Sequence, residues 1–200
     1  MVSFVNGDKG HRRTQAERRA STRGALIAAG RALFAERGFA GAGREDIVER
    51  AGVTRGAMHH HFPSKVDLFQ AVYEAIEAEL CDALARAAME AGPDPMAQLR
   101  AGALAFLDAA ATPEVRRVVL LDAPSVLSVQ VRREMSERYG LGLVRQALHE
   151  VMAAGIVEEQ PLEPLAHITM AALHEAATLV ADGGDRAEVD AVVARFLSRL

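Results

Sequence analysis

Between Glu45 and Phe62 the chain reads as two very short helices separated by a sharp turn, Ala51-Gly52-Val53. Helices of about two turns do not persist alone in water, so this pair must be held by the elements around it. Ile47, Val48 and Ala51 are placed to face inward, Gly52 turns the chain, Val53 plugs the core, and Thr54 caps the second helix. Two stubby helices joined by a glycine-bearing turn are the helix-turn-helix pattern, whose second helix enters a DNA major groove. The run Thr54-Arg55-Gly56-Ala57-Met58-His59-His60-His61-Phe62 is therefore expected to be the reading element.

Charge supports that expectation. Residues 1–67 hold 12 Lys and Arg against 7 Asp and Glu, leaving 11 against 20 for residues 68–200. A basic head on an acidic body points to a polyanion bound at one end. His11-Arg12-Arg13, Arg18-Arg19 and Arg23 form a basic run that could lie along phosphate. Three divisions are expected: a flexible basic arm over 1–13, a helix-turn-helix DNA-binding domain over 14–67, and a helical domain over 68–200. Alternating apolar and polar runs are scarce, so the fold class is all-α with about nine helices. The start, 1–10, is polar and glycine-bearing and reads as an arm rather than a signal peptide. Its longest stretch free of charge, 164–174, falls short of the roughly 18 apolar residues of a membrane span. A lone cysteine, Cys81, forms no internal disulfide and fits a reducing, cytoplasmic setting.

Local signals place the helices. Thr14-x-x-Glu17 and Ser64-x-x-Asp67 are capping boxes, and Gly38 is expected to end the first helix as a left-handed cap. The Ser64 box opens a long helix to about 91, with Phe69, Val72, Tyr73, Ile76, Leu80 and Leu84 at three- and four-residue spacing. Asp94-Pro95 and Thr112-Pro113 open helices over about 96–111 and 113–121. A long helix over about 125–154 follows, interrupted at Gly140-x-Gly142 by a kink or a close-packing spot. The two last helices cover about 165–182 and from 185 onward. Consecutive helical positions diverge by about 100°, so His59-His60-His61 does not converge on one ion, and no metal is expected. No nucleophile elbow, Cys-His pair, zinc-protease motif or paired carboxylates appear, so no catalytic residue is expected and a small helical enzyme is the least favoured class.

Residues 23–69 resemble the DNA-binding domain of TetR-type transcriptional repressors. The match runs through Ala28-Ala29-Gly30-x-x-Leu33-Phe34-x-x-x-Gly38-Phe39, Asp46-Ile47-Val48-x-x-Ala51-Gly52-Val53-Thr54-Arg55-Gly56, and His61-Phe62-Pro63-Ser64-Lys65-x-x-Leu68-Phe69. Two departures stand out: Ala42-Gly43 where the family has a Thr or Ser pair, and His59-His60 where it has tyrosines. The resemblance implies a homodimer on a near-palindromic operator in double-stranded DNA, released by an unidentified small-molecule effector, with no cofactor. An activator or architectural binder without a ligand is the alternative. Expected DNA-binding residues are Arg44, Thr54, Arg55, Gly56, His59, His60 and Lys65. Arg55 suits a guanine edge, and Lys65, with the first amides of its helix, suits phosphate. An effector pocket is expected among Phe106, Leu107, Val118, Leu121, Met135, His149 and Met152. The dimer interface is expected on the last two helices, at His167, Ala171, His174, Thr178, Val189, Val193 and Phe196.

Overall fold

A computed structural model of the chain describes residues 14–200. The expected arm over 1–13, with His11, Arg12 and Arg13, lies outside the described residues. The described residues form ten α-helices and one π-helical segment, with no strand among them. Three helices make the head: α1 (Gln15–Gly41), α2 (Arg44–Ala51) and α3 (Arg55–His61). A 26-residue helix, α4 (Lys65–Glu90), leads into the body. There follow α5 (Pro95–Ala110), the π segment (Val115–Asp122), α6 (Ala123–Val126), α7 (Val129–Arg138), α8 (Gly140–Ala153), α9 (Leu162–Ala181) and α10 (Arg186–Leu197).

Both capping boxes form. Thr14 accepts from the Glu17 amide while Glu17 receives the Thr14 amide, and Ser64 and Asp67 do the same at the start of α4. Each satisfies two amides that a helix start leaves unpaired. Asp94 with Pro95 opens α5, and Asp185 opens α10 by accepting from two amides.

The apolar side chains gather in two clusters that share α4. The first takes Leu33 and Phe34 of α1, Ile47 of α2, Met58 of α3, and Leu68, Phe69, Val72 and Ile76 of α4. It also includes Val115, Val118, Val119 and Met135. Hydrophobic packing therefore does not divide at 67/68, where the head was expected to end: the π segment and α7 complete the head's core. The second cluster fills the body between α5, α8, α9 and α10, with Leu80 of α4 at its edge.

Three expectations are corrected. Gly38 has φ 71° and ψ 173°, outside the left-handed helical region, and α1 resumes for one more turn to Gly41. These angles suit glycine alone, and the Arg117 guanidinium of the π segment occupies the space where a Cβ on Gly38 would stand. The helix expected over 113–121 is wound as a π segment, in which the Ala123 amide donates to the Val118 carbonyl. That wider winding occurs with Arg117 against Gly38 and the Asp122 carboxylate accepting from the Phe39 amide at 2.6 Å. The helix expected over 125–154 is three helices. Leu127 is extended and Ser128 caps α7, while Tyr139, at φ −118° and ψ −90°, breaks the chain before α8. Gly140 is then a close-packing spot, since a Cβ there would meet Met170 of α9 at 2.9 Å.

Gly38→Ala is expected to lower the unfolding free energy by about 2 kcal/mol, because its backbone angles suit glycine alone. Gly142→Ala, inside α8 with open space around it, is expected to raise it by about 0.5 kcal/mol. Urea unfolding of both variants checks this; equal shifts would remove the special status of the Gly38 backbone.

Candidate DNA interface and effector cavity

The head presents α3 by burying one residue of it. Met58 is 1% exposed and anchors the helix in the first cluster beside Ile47 and Phe62. Its neighbours Arg55, Gly56, His59 and His60 are exposed. Gly52 turns the chain into α3 with φ 64° and ψ 33°, and its amide and that of Val53 satisfy the last carbonyls of α2. The Thr54 hydroxyl accepts from the Ala57 amide at 3.1 Å and sets the angle at which α3 leaves the turn.

The cations of the head differ in how firmly they are held. Arg55 meets Glu45 at 2.5 Å, with both side chains about three-quarters exposed at 76% and 73%. An exposed pair of this kind contributes little and exchanges readily for another anion. Arg44 donates to the Pro63 carbonyl at 3.1 Å and is half-buried. On α1, Arg18, Arg19 and Arg23 are exposed and form no ion pair among the described residues; Arg23 lies over the Phe62 ring at 5.2 Å. His61 is half-buried, and desolvation, then the charges of His60, Arg19 and Arg23, push its pKa below the usual imidazole value.

Lys65 is placed differently from the expected phosphate contact. Its ammonium donates to the Phe39 carbonyl at 2.7 Å and the Ala42 carbonyl at 3.1 Å, and sits 4.3 Å from the Phe39 ring centroid. It closes the end of α1, whose final carbonyls have no helical partner. A positive charge so engaged is turned away from solvent. Only a long-range signal, the carbonyls left bare after Gly38, could have revealed this role.

A second feature lies in the body. A cavity of about 120 Å³ runs along α4 from Tyr73 to Ala88, walled on its other sides by α5, α7, α8 and α9. Most of the wall is apolar; Tyr73, Glu77, Cys81, Gln98, Ser136 and His174 are its polar members. Burial raises the Glu77 pKa above the carboxylate range, opposed by the Tyr73 hydroxyl one turn earlier. Burial, then Glu77, raises Tyr73 in turn. His174 is lowered by burial, opposed by its bond to the Met170 carbonyl, and packs edge-on against Phe106 with centroids 5.3 Å apart.

Of the residues expected to line a pocket, Phe106 is in this wall. Leu107 is buried in the body core, Val118 and Met135 are buried in the first cluster, and Met152 packs on the body core from outside. Leu121 and His149 are exposed. The apolar spacing that singled them out marks cores as readily as cavities. The α4 wall residues were missed because their spacing reads simply as a buried face; Glu77 and Cys81 within that face were the available signal.

The expected dimer-interface residues also divide. Val193 is buried in this chain's own core, Val189 and Phe196 pack against it, and His174 belongs to the cavity. His167 and Ala171 face outward and Thr178 is partly exposed. Beside them Ile168, Leu179 and Val192 are 61%, 51% and 67% exposed, an apolar face that α9 and α10 leave uncovered. Among the described residues no helix is long and apolar enough to cross a membrane, and no group of three His, Cys, Asp or Glu could hold a metal ion.

Comparison with known proteins gives concordant matches. Residues 26–72 match the model for bacterial regulatory proteins of the tetR family, and residues 96–200 match that for the tetracyclin repressor-like C-terminal domain. The chain is 45% identical over 71 residues to the HTH-type transcriptional regulator CymR of Pseudomonas putida, covering 36% of this chain and 35% of that one. It is 37% identical over 108 residues to the HTH-type transcriptional repressor BepR of Brucella suis biovar 1, covering 54% and 51%. The chain thus spans about half or less of the length of these curated relatives. A crystal structure of a TetR-family transcriptional regulator from Pectobacterium atrosepticum superposes with a TM-score of 0.75 at 32% identity, over 92% of this chain and 94% of that one.

Lys65→Met is expected to lower the unfolding free energy by about 2 kcal/mol, by leaving two carbonyls without their donor. Chemical denaturation reads this directly. An unchanged midpoint would show the ammonium to be free in solution and available for phosphate.

Proposed function

The chain belongs to the TetR family of bacterial transcriptional regulators, and on that premise we propose that it is a homodimeric, operator-binding repressor released by a small molecule bound along α4. The observation that carries the DNA reading is the outward face of α3. Arg55, Gly56, His59 and His60 share the exposed side of a helix whose only buried residue is Met58. Gly56 supports it further. Nothing among the described residues requires glycine there: an added Cβ would come no nearer than 3.9 Å to the Thr54 hydroxyl. A glycine inside a helix costs about 1 kcal/mol relative to alanine. Its use suits a surface that another backbone must approach closely.

In this reading α3 lies in the major groove with Arg55 on a guanine edge, exchanging Glu45 for the base. Arg44, Thr54, His59 and His60 donate to the phosphates that flank it. The exposed arginines of α1 lie along the neighbouring backbone. A helix of seven residues reads few bases, so a second copy about one duplex turn away, roughly 34–36 Å, supplies the remaining affinity. The uncovered face of α9 and α10, with Ile168, Leu179 and Val192 joining His167, Ala171 and Thr178, is where the two copies meet. Action on chromosomal duplex places the protein in the cytoplasm.

Release follows from how the cavity and head share parts. α4 has its first turns in the head's core and its later turns in the cavity wall. The π segment grips the kink of α1 through Asp122 on the Phe39 amide and Arg117 beside Gly38. Arg31 of α1 adds a bidentate pair with Glu79 of α4 at 2.7 Å and a second with Glu114. A ligand that favours one setting of α4 shifts the population of head orientations.

Selection of bound fragments from random duplex DNA is expected to yield a near-palindrome. At fixed salt, Arg55→Ala is expected to weaken binding to it by about 1–3 kcal/mol and to relax one base position in each half-site. Unaltered affinity, or selected sites without two-fold symmetry, would overturn the reading.

A further inference from the structure

We propose that the cavity along α4 takes a compact organic ammonium, an apolar body bearing one protonated amine, with the Glu77 carboxylate as its counter-charge. This deepens the effector reading of the same cavity and rests on it. Glu77 is the one formally charged side chain in the wall, which contains no lysine, arginine or aspartate. Among the described residues it forms no ion pair; Arg132, whose buried Nε has no hydrogen-bond partner, acts on the Tyr73 phenol and is not in the wall. A desolvated carboxylate without a cationic partner is a standing energetic penalty. A leucine or glutamine would remove that penalty and leave the packing of the wall intact.

The other polar groups of the wall point to the same chemistry. His174 Nδ1 lies 3.2 Å from the Met170 carbonyl, which only accepts, so Nδ1 carries the proton. Burial disfavours the doubly protonated ring, and Nε2 is left as an acceptor. Two acceptors, Glu77 and His174, thus belong to a wall that also carries the Tyr73 and Phe106 rings, surfaces on which a cation is stabilised. An anionic ligand, whether carboxylate or phosphate ester, would find no counter-charge there and would share the space with Glu77. The volume of about 120 Å³ is near that of cavities, roughly 150 Å³, that accept a single benzene ring. One ring with a short amine-bearing chain fits this description.

Three probes sharing one body separate the possibilities: 2-phenylethylammonium, 2-phenylethanol and phenylacetate, titrated into the full chain by calorimetry at neutral pH. The ammonium is expected to bind about tenfold or more tighter than the alcohol, as a charge-assisted hydrogen bond requires, and phenylacetate not to bind. Glu77→Gln is expected to bring the ammonium down to the affinity of the alcohol while leaving the alcohol unchanged. The assignment is overturned if phenylacetate matches the ammonium, if none of the three binds, or if Glu77→Gln preserves the ratio of ammonium to alcohol. The ratio in the unmutated chain is a test on its own should the variant not fold. DNA release is read separately. Ammonium binding that leaves operator affinity unchanged contradicts the effector reading and supports the cavity assignment; release by phenylacetate alone does the reverse.

Discussion

Helix α4 carries buried side chains of both hydrophobic clusters, and Ala109 of α5 and Leu120 of the π segment pack against both beside it. Leu68, Phe69, Val72 and Ile76 fix the first half of α4 in the head's core, while Leu80 belongs to the core of the body. Because interiors are close-packed, neither half of α4 can move without displacing neighbours. Glu77 and Cys81 in the cavity wall lie within one or two turns of Tyr73 and Ile76, the last α4 residues of the head's core. The Ser64–Asp67 capping box satisfies the first amides of this helix and keeps its start from fraying.

The head's charges follow a division of labour that residue type alone does not reveal. Lys65 is committed to two backbone carbonyls and an aromatic ring, and Arg31 to two glutamates. These cations hold the fold. Arg55 is instead paired loosely at the surface, and Arg18, Arg19 and Arg23 project from α1. Exposed pairs are weak in water and screened by salt, so the Arg55–Glu45 pair exchanges readily for another anion. Basic residues that look equivalent in the sequence thus separate into those engaged in the scaffold and those left exposed.

Much of the head was legible because its signals are local. Capping boxes, the Gly52 turn and the inward set of Ile47, Val48 and Ala51 all act within a few residues, and the helices formed where those signals placed them. The body was read less well because its determinants are distant in sequence. The winding of Val115–Asp122 goes with Gly38 and Phe39, more than seventy residues earlier. Gly140, just after the break at Tyr139, packs against Met170 of α9, thirty residues later. Cavity and core residues share one apolar pattern, so Leu107 and Val118 could not be told from wall residues, whereas Glu77 could have been noticed as a carboxylate on an inward stripe. On α10, Val189, Val193 and Phe196 are turned inward because the body needs them, which leaves Val192 and the outer residues of α9 as the uncovered face.

If α9 and α10 bring two copies together, the two reading helices have a fixed separation before any DNA is present. Placing a spin label at His59→Cys, with Cys81→Ser to remove the native thiol, allows that separation to be measured by pulsed dipolar spectroscopy. The account predicts one intermolecular distance population near the pitch of the duplex, roughly 34–36 Å, already present in the free protein and narrower on operator DNA. The absence of any intermolecular coupling, or a free-state distance that bears no relation to one duplex turn, would contradict it.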